Sequence, residues 1–398
     1  MVELFIASRL LVDYFWEYKL LSLLHAALSL ALAALLLLYQ KKSGVKTCGT
    51  DKIFLLFLAV ATASFLANPA GDSYVDYLKL LGYFSFYLIG RIAPLKLRYS
   101  RTLGLLSILA LTALSIFSLI GKGYVSWGSV NTFTGGYFFK SDLAIASIIF
   151  LSIAFATLDK KTLLALSLVL SGYLVFKSNA RIALPLLVII PAFLIMTTRG
   201  KITTINLKSI SLIIITAGVG MAAFALIDFR NLGMLGFDFS DPFSAANTQG
   251  RSVIWAALLQ AYSNASLTEK LIGMGLNADV EATRVFSESI SLEGVRAHNS
   301  YLYLLVCTGV AGSLSFYWLI YSIFSKSPFL LKQGNRKSQI IPSLSCAMLI
   351  IFLWFSMTTE IIIRPQLMII LFLLSGMHIQ SYLNFKNGRH ECAPTGRA

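Results

Sequence analysis

Hydrophobic residues fall in eleven long runs, at 20–39, 53–67, 78–93, 102–120, 143–157, 162–176, 182–196, 210–227, 301–324, 340–356 and 367–380. A helix needs about 20 apolar residues to cross a bilayer, so the runs near 15 residues must borrow flanking positions. Inside lipid the backbone has no water to bond, and a helix satisfies its own polar groups. The pattern therefore predicts an all-α polytopic membrane protein with about 11–12 transmembrane helices. Residues 1–19 mix Glu3, Arg9, Asp13, Glu17 and Lys19 with Leu, Phe and Trp, and predict an interfacial or half-inserted helix. They show neither a basic leading region nor a small-residue cleavage site, which argues against a removed signal peptide. The polar stretch 228–300 is the one long interruption. It divides the chain into an N-terminal bundle over 1–227, a loop domain over 228–300, further spans over 301–380 and a tail over 381–398.

Composition agrees with this division: 57% of residues are hydrophobic, 13% are charged, and the mean hydropathy is +0.76. A set of soluble domains, a disordered chain, a disulfide scaffold and a collagen-like chain are all excluded. Charge then orients the spans. The alternating links 40–52, 90–101, 158–161, 197–209, 325–339 and 381–398 hold 20 Lys and Arg; the other links, although longer, hold 11. Basic residues accumulate on the cytoplasmic side, which puts 228–300 outside. The net charge of +15 thus reads as topology. No long basic segment with interleaved aromatics points to nucleic acid. The four cysteines lie in inner links or spans, so no disulfide framework is implied. The four histidines are scattered, without metal-ligand spacing, and no phosphate-binding glycine motif occurs. Neither a metal nor a cofactor is expected.

The outer links carry the candidate chemistry. Arg181 closes Lys177-Ser-Asn-Ala-Arg181, a link so short that its side chains sit at the lip of the bundle; the bland reading is a snorkelling arginine. Arg251, Trp255, Leu258 or Leu259 and Tyr262 recur at helical spacing, with Arg251 in the first turn. Free N–H groups and a guanidinium fork at one helix start favour phosphate; a solvated surface arginine is the alternative. Leu271-Ile-Gly-Met-Gly275 reads as a glycine-rich connector. His298, in Arg296-Ala-His298-Asn299-Ser-Tyr301, is the only histidine in an outer link. A neutral imidazole there could take a proton from a hydroxyl, or simply pack. The last outer link adds Glu360 and Arg364.

Three segments, in order, resemble the O-antigen ligase and polymerase superfamily of bacterial envelope glycan assembly. They are Ser178-Asn-Ala-Arg181; Gly250-Arg251-Ser-Val-Ile-Trp255 with Leu271-Ile-Gly-Met-Gly275; and His298-Asn299-Ser-Tyr301-Leu with Gly309-Val-Ala-Gly312. The resemblance covers about residues 178–315. It implies a class C glycosyltransferase-like fold in the bacterial inner membrane with a periplasmic active site. The donor would be a glycan on undecaprenyl diphosphate, and the acceptor either lipid A–core (ligase) or a second lipid-linked glycan (polymerase). It implies His298 as base and Arg181 and Arg251 at the diphosphate, with no metal. Lys140, Arg364, Asn299 and Tyr301 complete the expected binding set. The stretch Thr134-Gly-Gly-Tyr137-Phe-Phe-Lys140-Ser-Asp142 looks more like the polymerase-type members. A transporter of lipid-linked glycans is the rival class. It predicts acids and polar residues deep within several spans, whereas the ionisable residues here gather at the outer lip.

Overall fold

In the computed structural model, residues 47–69, 73–92, 100–127, 130–198, 251–286, 294–332 and 336–387 are described, with scattered helical positions between 6 and 38. The apolar run 210–227, the first part of the loop domain and the end of the tail lie outside these residues. The long helices are α1 (Gly49–Ala67), α2 (Ser73–Ile92), α3 (Ser100–Leu119), α4 (Lys140–Thr157), α5 (Lys161–Lys177) and α6 (Leu186–Thr198). The loop supplies α7 (Arg251–Asn264), α8 (Leu267–Ile272) and α9 (Ala278–Phe286). Then come α10 (Ser300–Phe324), the short α11 (Ser327–Lys332), α12 (Arg336–Phe355) and α13 (Pro365–Lys386). Seven helical segments among the described residues are long and apolar enough to cross a membrane. The chain is thus a mostly helical, multi-pass membrane protein. Helix α2, which carries Asp76, Lys79 and Arg91, and α5, at 17 residues, are not among the seven, yet both pack within the bundle. The all-α expectation needs one amendment. An antiparallel hairpin, β1 (Tyr124–Trp127) and β2 (Val130–Phe133), joins α3 to α4.

The core is formed by α4 and α12, each 89% buried over its span, and by α13. Helices α2 and α13 meet backbone to backbone. A Cβ at Gly90 would lie 2.1 Å from the Leu373 carbonyl oxygen, and one at Gly376 would lie 2.1 Å from that of Tyr87. Small residues permit this approach, and close packing is what holds helices together where lipid is as apolar as their side chains. At one end of the bundle Asp51 accepts Arg91 Nε (3.1 Å), Arg91 Nη2 (3.1 Å) and the Tyr87 hydroxyl (2.6 Å). Arg91 also donates to Gln380, joining α1, α2 and α13. This is the end where the described lysine- and arginine-rich links lie.

The opposite end carries 294–300 and the loop helices. Here α10 is broken at Gly309, whose φ is 65°. The break frees carbonyls in the turn before it, and neighbouring segments take them up. Met274 N–H donates to the Val306 oxygen at 2.9 Å, and the Ser64 hydroxyl donates to the Cys307 oxygen at 2.5 Å. The Gly273 backbone lies so close to α10 that a Cβ there would be 2.3 Å from the Cys307 oxygen. The glycine turn is therefore a dock for the loop on a spanning helix, not a mere connector. An unwound stretch inside a span is tolerable only where protein satisfies its backbone, as it does here.

Candidate functional site

His298 sits between the loop and α10. Asn299 starts the helix: its side-chain oxygen accepts Tyr301 N–H (2.9 Å) and Leu302 N–H (3.1 Å), and its amide donates to the Met357 oxygen (3.4 Å). The Tyr301 hydroxyl donates to the Leu353 oxygen at 3.0 Å. Both side chains, expected to bind substrate, thus commit these polar groups to the bundle. What they do is fix the residue before them.

Three elements grip that residue. The Trp255 indole of α7 donates to the Ala297 oxygen at 3.1 Å. Ala297 N–H donates to Asp279 Oδ2 of α9 at 3.0 Å. The next N–H, that of His298, donates to the Glu360 carboxylate in the link between α12 and α13. His298 consequently adopts a left-handed backbone with φ of 48°. That conformation costs about 1–3 kcal/mol in a non-glycine residue. A hydrogen bond to a charged group contributes about 1.5–3 kcal/mol, so two carboxylates on consecutive N–H groups outweigh the strain.

The ring is placed by the same acid. His298 Nδ1 lies 3.5 Å from Glu360 Oε1; the imidazole is 39% exposed and the carboxylate 1%. Glu360 can therefore pair with the imidazolium at Nδ1 while the ring remains open to a ligand. Burial pushes the His298 pKa below its ordinary value, Glu360 opposes the shift, and Arg251 and Arg364 add to it. The imidazole is neutral at pH 7 and able to accept a proton.

Both arginines that act on His298 come from expected positions. Arg251 is the first residue of α7, and its pKa is lowered by burial, with Glu360 opposing. Among the described residues no carboxylate lies within ion-pair distance of it. A partly desolvated guanidinium is suited to an anionic ligand. The buried face of α7 is Ile254, Ala257, Leu258 and Ala261, with Trp255 and Tyr262 packed alongside. It lies one residue round from the face that the sequence spacing suggested. Arg364 lies 3.3 Å from Asp142 and 4.7 Å from the Phe139 ring centre, so it already has a counter-charge beside it. Lys140 begins the same helix as Asp142, which brings the hairpin segment to this end.

No protein-family model and no curated protein matches the chain. The site must therefore be read from its geometry.

Arg181 opens a single 3₁₀ turn, Arg181–Ala183, at the same end as His298. The Trp354 indole donates to the Ile182 oxygen at 2.6 Å, and Ser300 N–H donates to the Ser356 oxygen at 2.9 Å. Helix α12 thus carries both the Arg181 turn and the start of α10. The structure brings His298, Arg251, Arg364 and Glu360 into one electrostatic cluster; Arg181 lies in the turn held by Trp354, and Lys140 two residues before Asp142. Asp76 and Asp279 had no part in the sequence expectations, Asp142 entered only within the glycine-aromatic stretch, and Trp255 only as a face residue of α7 and within the resemblance. No local pattern marks the bonds they make, because their partners are distant in the chain.

Proposed function

We propose that the chain is an O-antigen ligase-like transferase that moves a glycan from undecaprenyl diphosphate to lipid A–core at the periplasmic face of the inner membrane. The observation that carries this reading is the gathering of a neutral, half-open imidazole with Arg251 and Arg364 from three distant segments. The acceptor hydroxyl oxygen attacks the anomeric carbon, and its proton passes to His298 Nε2. The bond from that carbon to the diphosphate oxygen breaks, and the electron pair leaves with the carrier. Charge grows on the diphosphate as this happens. Guanidinium groups fixed beside it stabilise the transition state more than the ground state, usually the largest contribution to such a transfer. Glu360 holds the imidazolium that forms. The prenyl chain stays in lipid, so the anion arrives at the lip of the bundle, where these arginines lie.

A polymerase that joins two lipid-linked repeats is the second reading, favoured by the pairing of Arg364 with Asp142 and Phe139 of the glycine-aromatic stretch. A deletion strain separates the two. Polymer retained on the carrier with bare lipid A–core supports the ligase. A single repeat on the core means the polymerase, and unchanged lipopolysaccharide banding rejects both.

A further inference from the structure

The short helix α8 of the loop is docked at a depth that spanning helices occupy. Helices α1 and α10 run side by side. The Thr50 and Ser322 hydroxyls lie 2.9 Å apart near one end of α1, and the Ser64 hydroxyl donates to the Cys307 oxygen near the other. The helix between Thr50 and Ser64 rises about 21 Å. The hydrocarbon core of a bilayer is about 30 Å thick. The Asp51–Arg91 pair beside Thr50 marks the basic edge, so Cys307 and the break at Gly309 fall inside that thickness. Helix α8 packs against this break. A Cβ at Gly309 would lie 2.4 Å from the Leu271 oxygen, and one at Gly275 would lie 2.6 Å from the Asn68 oxygen, just beyond α1.

The surface of α8 suits that depth. None of its residues is buried, and Leu267 and Leu271, one turn apart, are 75% and 48% exposed. Its two charged residues turn instead to the backbone of the corner between α7 and α8. The Glu269 carboxylate accepts Ser266 N–H at 2.8 Å, and Lys270 Nζ donates to the Ser263 oxygen at 2.7 Å. On α10 the exposed apolar side chains begin immediately after the break, with Val310, Leu314 and Trp318 at four-residue spacing. Leu66, in the last turn of α1, is exposed as well. The α8 leucines therefore continue the apolar surface that α1 and α10 turn outward.

We infer that the bilayer covers this face: Leu267 and Leu271 insert among the acyl chains beside α10, and lipid holds the loop together with the glycine dock. Moving two exposed leucines from water into acyl chains is favourable. Glu269 and Lys270 stay at the headgroups, as the charged side chains of interfacial helices do. The Tyr262 hydroxyl of α7 donates to the Lys270 oxygen at 3.2 Å, so α7, with Arg251 at its start, is tied to the seated helix. The membrane surface thus sets the height of that arginine. Nothing in the seating of α8 depends on the transferase reading.

The test is the environment of nitroxide labels at Leu267→Cys and Leu271→Cys in vesicles of phosphatidylethanolamine and phosphatidylglycerol. The full-length chain carries Cys48→Ser and Cys392→Ser; Cys307 and Cys346 are buried. Both labelled side chains are exposed, so the labels displace little packing. Leu314→Cys on α10 is the lipid reference, and Glu281→Cys, half-exposed on α9, is the aqueous one. Collision with oxygen, which concentrates in lipid, is compared with collision with a water-soluble nickel chelate. The oxygen-to-nickel ratio at 267 and 271 should exceed that at 281 several-fold and approach that at 314. A ratio equal to that at 281 means that the face meets water, and overturns the inference. Low collision with both reagents means that another part of the protein covers the face, and overturns it as well.

Discussion

His298 shows how a residue with a common side chain acquires an uncommon task. Its backbone strain is held by two carboxylates, and its ring is held neutral by burial and by two arginines. Because the imidazole must be unprotonated to act, transfer is lost as pH falls through its pKa, which lies below the ordinary ~6.5. A pH–rate profile should place the acid limb below that value in the wild-type chain; a limb above it would contradict the electrostatics. Glu360→Gln removes the one negative charge opposing that shift, so it should move the limb further down and slow transfer. Arg251→Lys keeps the charge but loses the planar fork and should rescue poorly, since a diphosphate is gripped in pairs. Near-normal transfer by Arg251→Lys and Arg251→Ala, measured in purified membranes, would move the anion site elsewhere.

At the scale of elements, the loop is held on α10 by backbone contact. A Cβ at Gly309 would lie 2.4 Å from the Leu271 oxygen, and φ there is left-handed. Gly309→Ala should cost about 1–3 kcal/mol in strain alone. It should appear as a lower melting temperature and faster proteolysis between 265 and 277; unchanged values would mean that the dock is not a constraint. The spans themselves were legible in the sequence because lipid demands long apolar runs. The helix that carries Arg251 near its start was also legible, from its spacing, as was the span that begins just after His298. The dock was not: Leu271–Gly275 has meaning only against a kink more than thirty residues later. The acids were equally hidden. Asp76 lies just before the apolar run that begins at residue 78, and its partner Arg296 is 220 residues away. A lone carboxylate beside a span carries no local signal of what neutralises it.

For the whole molecule, two ends with different chemistry account for how the chain would work. One end is basic and closed by the Asp51–Arg91 pair; the other holds the loop, its buried acids and the partly exposed imidazole. If the acidic loop faces outward, a cysteine replacing Ser287 should react with an impermeant thiol reagent in intact spheroplasts. Labelling only after lysis would invert the molecule. The central claim is that His298 is the base for transfer from a diphosphate carrier. It is tested most directly by the purified chain in proteoliposomes with lipid-linked donor and lipid A–core acceptor. Under EDTA the wild-type chain should form product, and His298→Asn and His298→Gln should each be slower by about 10²–10⁴-fold with donor binding retained. Near-wild-type turnover in both variants would contradict it.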